Sequence, residues 1–90
     1  MLSLKETKQY LRVEFEEEDA LIKELIKSAQ KLCLSMIRSD DIRKWKQDHT
    51  MKIAMLYCVA YLYEHREKAN HKELNETLRA LLFGCREEIF

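Results

Sequence analysis

Residues 21–37 read LIKELIKSAQKLCLSMI, and the fold turns on this stretch. Leu21, Ile22, Leu25, Ile26, Ala29, Leu32, Cys33, Met36 and Ile37 recur at steps of three and four, so on a helix they make one broad apolar stripe. Lys23, Glu24, Lys27 and Lys31 fall on the other side. Each large side chain of the stripe contributes roughly 1.5–3 kcal/mol if fully buried, before conformational entropy is charged. The stripe must therefore face another element. The spacing predicts a long second helix over about Glu17 to Arg38. The acids before it, Glu16 to Asp19, suit the positive end of that helix. They lack the alternating oxygen ligands and turn glycine of a calcium loop.

Working outward to the N-terminus, Ser3 and Glu6 have capping-box spacing and predict a short first helix ending near Arg12. Leu4, Thr7 and Leu11 share a face of it, with Tyr10 beside them, and Val13 to Phe15 read as an extended connector. Toward the C-terminus, Ser39 to Asp48 is the most polar connection, where Ser39, Asp40 and Asp41 can stop one helix and cap a short one. A third helix is predicted over about Thr50 to Lys68. One of its faces carries Met51, Ala54, Met55, Cys58 and Leu62; the other carries Ile53, Leu56, Tyr57, Ala60 and Tyr63. A helix apolar nearly all round is central or sandwiched, which in so short a chain hints at self-association. Asn70 and Glu73 can cap a last helix that carries Leu74, Leu78, Leu81 and Leu82 to a stop at Gly84. The expected architecture is one all-α domain spanning residues 1–90, a small bundle of about four helices with the long second helix packed on the apolar third. The absence of proline and the single glycine argue against an all-β fold, which needs turn residues at regular spacing.

Composition narrows the function by exclusion. Sixteen basic and 16 acidic residues cancel, so nothing suggests tight wrapping of duplex DNA. Met51 to Tyr63 is the most apolar run, but as a helix it reaches only about 20 Å against a hydrocarbon core of about 30 Å, so a buried helix is expected and no membrane span. The N-terminus has no signal-peptide pattern. Cys33, Cys58 and Cys85 are widely spaced, which fits reduced, inert thiols better than a zinc knuckle or redox pair. His49, His65 and His71 lack metal-site spacing, and Cys58 and His65 stand too far apart on one helix for a nucleophile pair. Glu64 and Glu67 share a face with Arg66 and Lys68 nearby, a solvated charged surface rather than an acid–base couple. No catalysis, metal or cofactor is expected. Trp45 lies among Arg43, Lys44 and Lys46, a pattern that can stack single-stranded nucleic acid. Asp40, Asp41 and Asp48 dilute that charge, so Trp45 is expected to close the core or to sit at a subunit contact. The tail ends on Ile89 and Phe90, with Phe83 just before Gly84; these side chains either fold back on the core or grip a partner.

Three blocks, and the closing leucines after them, resemble the head–tail connector (head-completion adaptor) proteins of tailed bacteriophages. Leu4 to Val13 resembles the family's opening helix with its leucine-arginine-valine turn. Glu18 to Ala29 is similar to its acid-rich start followed by D-x-L-I-x-x-L-I-x-x-A. Lys52 to Glu67 resembles its apolar helix closing in Y-E-x-R-E, and Leu78 to Leu82 the closing leucine pair before an arginine, here Arg86. The chain departs from the family in lacking prolines before the third and last helices, and in Phe83-Gly84-Cys85 before Arg86. The resemblance implies a ring-forming structural adaptor below the portal protein, with DNA passing through the channel without sequence-specific binding and a tail-side completion protein docking on it. It implies a virion component at the head–tail interface, assembled in the bacterial cytoplasm, with no cofactor. Phe83, Ile89, Phe90 and Trp45 are the candidate partner-binding residues. The competing expectation is a small helical nucleic-acid-binding or regulatory protein, though a recognition helix should present basic and polar residues to a groove; a small enzyme is the third.

Overall fold

Local chemistry sets the ends of the helices. The computed structural model describes residues 2–37, 48–65 and 71–82. Over these it contains α1 (Leu4–Leu11), α2 (Asp19–Met36), α3 (His49–Glu64) and α4 (His71–Leu82). Ser3 Oγ accepts from the Glu6 amide at 3.0 Å, as the capping-box spacing predicts. Thr7, fully buried, donates its hydroxyl to the Ser3 carbonyl at 2.8 Å and so carries no unmet polar group into the core. At the other end of α1, Arg12 takes a left-handed conformation, φ 60°. Its amide donates to the Gln9 carbonyl and the Val13 amide to the Lys8 carbonyl, the paired bonds of a Schellman stop. That stop turns the chain and buries Val13 beneath α1.

The second helix starts at Asp19, two residues later than the spacing predicted. Glu18 occupies its N-cap without a side-chain capping bond. Asp48 caps α3, its Oδ1 accepting from the Met51 amide at 2.7 Å. This helix ends at Glu64, short of the expected Lys68, with His65 as its C-cap. The predicted Asn70 cap, the Gly84 stop and the Ser39–Asp41 cap lie outside the described residues.

The most extensive helix pairing is α2 on α3; α4 packs across both, and α1 closes the remaining side. Ile22, Ile26, Ala29 and Cys33 of α2, with Ile37 at its C-cap, are buried against Met51, Ala54, Met55, Cys58 and Val59 of α3 and Leu74, Leu78 and Leu82 of α4. The α2 stripe is thus narrower than its composition suggests. Leu21, Leu25, Leu32 and Met36 flank the buried line and are only half-buried. On α3 the expected inner face is buried except for Leu62, which is half-buried. Its second face is half-covered, and Ile53 is 44% exposed.

Candidate functional site

The polar side chains that hold the helices in register also define the surface they leave open. Lys52 at the start of α3 donates to Glu6 of α1 at 2.9 Å. That bond, helped by the Ser3 backbone, lowers the Glu6 carboxyl below its ordinary pKa of 4.5 against a smaller opposing effect of burial. Lys8 of α1 pairs with Asp19 at the start of α2 at 2.7 Å. The Tyr63 hydroxyl near the end of α3 donates to Glu18 Oε1 at 2.6 Å. Two acids of the 16–19 run therefore bind other helices in addition to lying at the start of α2. The linear sequence carries no signal for these pairings, since Tyr63 and Glu18 are 45 residues apart and Lys52 and Glu6 are 46 apart.

Tying α1 to both neighbours leaves an open cleft of about 560 Å³ between the end of α1, the second half of α3 and the start of α4. Tyr10 lines it from α1, Arg12 from the stop that follows, and Glu73 from α4. From α3 come Tyr57, Tyr61, Glu64 and the capping His65. Tyr57 and Tyr61 stack with centroids 6.4 Å apart, and Tyr61 and His65 stack at 4.2 Å. His65 Nδ1 lies 3.0 Å from the Tyr61 carbonyl, so protonated at Nδ1 it donates there and fixes the ring over Tyr61. These aromatic steps are one helical turn apart on α3, which aligns them in a row. Tyr10, 51% exposed, forms the facing wall. This surface was legible in the sequence only as an apolar second face of α3; the part that α1 and α4 play in it was not.

Cys33 and Cys58 are free, buried thiols. Burial pushes Cys33 up to about 12, with Cys58 adding to it, and Cys58 up to about 11, which suppresses the reactive thiolate. Among the described residues no three His, Cys, Asp or Glu side chains group to hold a metal ion. Among them, too, no helix is long and apolar enough to cross a membrane. The partner-binding candidates Trp45, Phe83, Ile89 and Phe90 all lie outside the described residues, as does Cys85. Leu82, immediately before Phe83, is buried.

Compared with known proteins, residues 1–89 match a family model described as phage gp6-like head–tail connector protein. No curated protein and no solved structure matches the chain.

Proposed function

Because the chain belongs to the phage gp6-like head–tail connector family, a structural, non-enzymatic family, we propose that it assembles as a ring below the portal. It is an all-α virion component of the head–tail connection. In the proposed ring it extends the DNA channel without reading sequence, and it offers its far side to a tail-side completion protein. The observation that carries this is the match over residues 1–89, nearly the whole chain. The half-covered second face of α3 supports it, since a repeated contact would bury that face. The test is mass measurement of the chain alone and with the portal of its own phage. A closed oligomer is expected at least on the portal, since a subunit this small offers little area per contact by itself. Monomer under both conditions, with no portal binding, rejects the proposal.

The tail is the proposed grip. Phe83, Ile89 and Phe90 are large apolar residues at the chain end, and burial of each is worth roughly 1.5–3 kcal/mol only if a surface receives it. Deleting residues 86–90 is expected to leave the melting temperature unchanged and abolish portal binding. A lowered melting temperature with portal binding intact would assign the tail to its own core instead. Trp45 is proposed to lie at a subunit or portal contact. As the chain's one tryptophan it reports directly: its emission should shift to the blue on assembly, and an unchanged spectrum removes it from the contact.

A further inference from the structure

We propose that the lysine row on the outer face of α2 docks into the aromatic, acid-bearing cleft of the next copy, and that this is the repeated head-to-tail contact of the assembly. The inference rests on the ring reading above and assigns it two surfaces. The first is the cleft, where Tyr10 is exposed and Tyr57 half-buried, with the exposed carboxylate of Glu64 beside them. Aromatic walls beside carboxylates are the chemistry that receives a cationic side chain: ring quadrupoles attract the charge and the acid pairs with it. The second is α2, where Lys23, Lys27 and Lys31 follow one another at four-residue steps on the exposed side. Lys27 is 74% exposed, and its partner Glu24 is 3.5 Å away and equally open to water, a pairing easily exchanged for another.

The two surfaces are placed for a heterologous contact. The buried line of α2 meets the buried line of α3, so the lysine row points away from α3. Ile53, Tyr57, Ala60 and Glu64 lie on the side of α3 roughly opposite that buried line, by the helical rotation per residue. The donor and acceptor surfaces therefore face opposite sides of one subunit. That arrangement propagates from copy to copy and cannot close as a two-fold dimer through these same surfaces. The long lysine stems would cover the exposed ring of Tyr10 while their charges reach Glu64. The zero net charge of the chain allows such a contact without accumulating repulsion around a ring.

A charge swap tests this on the full chain with its portal, read by sedimentation and electron microscopy. One variant carries Lys27→Glu and Lys31→Glu; the other carries Glu64→Lys; all three sites are exposed, and circular dichroism should show both variants folded as wild type. Each alone is expected to assemble about tenfold or more weaker than wild type. Mixed in equal amounts they should recover, because each variant's intact surface meets its complement and the reversed surfaces also match. Tyr10→Ala, which alters no charge, is expected to weaken assembly with an unchanged melting temperature. Unimpaired assembly of the single variants, or impaired variants that do not rescue one another, overturns the inference. So does intact assembly with lost retention on heparin, which would give the lysines to a polyanion. Failure of wild type itself to assemble rejects the ring reading, and is distinguished from failure of this contact alone by the wild-type lane.

Discussion

At the scale of single residues, burial separates side chains that look equivalent in sequence. Ile22 and Leu25 both belong to the α2 stripe, yet Ile22 is fully buried and Leu25 is at its half-buried margin. Ile22→Ala should cost roughly 2–5 kcal/mol, transfer and cavity together, and Leu25→Ala about 1–2 kcal/mol. Urea unfolding of the two variants checks the order; equal losses would place Leu25 in the core. Glu6 gives a pH dependence. Its folded pKa lies below its ordinary value because Lys52 stabilises the carboxylate. The resulting stabilisation is present above about 4.5 and is lost as pH falls through the lower folded value. Thermal melts should show Glu6→Gln less stable than wild type at neutral pH, with the gap closing in acid. The gap will be small, because both side chains of the pair are about a third exposed.

At the scale of the element, short-range chemistry decides where a helix begins and what it can tolerate. Asp48 satisfies an orphan amide at the head of α3, the helix that carries both the core and the cleft. Asp48→Ala should cost about 1 kcal/mol, and Asp48→Ser should recover most of it, as a calorimetric series would show. No recovery with serine would mean that Asp48 acts mainly through its other contacts and only secondarily as a cap. The stop of α1 follows the same logic with a different residue. Arg12 holds a left-handed conformation that glycine adopts more easily, so its side chain is tolerated at some backbone cost. The structure places that side chain beside the cleft, which gives the position a use that glycine could not serve.

At the scale of the whole molecule, polar clamps among the described residues join α1, α2 and α3, and one shared core adds α4, so the helices should open together. Cys33 and Cys58 come from α2 and α3, the pair with the most extensive contact, and both thiols are withdrawn from water. In a Cys85→Ser background neither should react with a thiol reagent near neutral pH, where their raised pKa values leave almost no thiolate. Both should label together as urea crosses the unfolding midpoint. Labelling of either thiol in the absence of denaturant would reveal a local opening of α2 from α3 and contradict a cooperative core.

The helices follow from residue order alone, because helix formation depends on neighbours three and four residues away. The Ser3–Glu6 cap, the α1 stop at Arg12, the α2 stripe and the leucine spacing of α4 all rest on such local periodicity. The sequence also carried the family resemblance, since that too is a matter of residue order, and the match over residues 1–89 establishes the family. Asp48 was legible in principle, as an acid three residues before Met51, but it stood inside a polar run with several equally plausible caps. Packing of the helices settles which side of each stripe is buried, and why Leu25 differs from Ile22. It alone brought Lys52 to Glu6, Tyr63 to Glu18, and Tyr10 opposite Tyr57 and Tyr61. Those contacts join residues dozens of positions apart, and their geometry follows from how four helices pack. No local period in the chain encodes that packing.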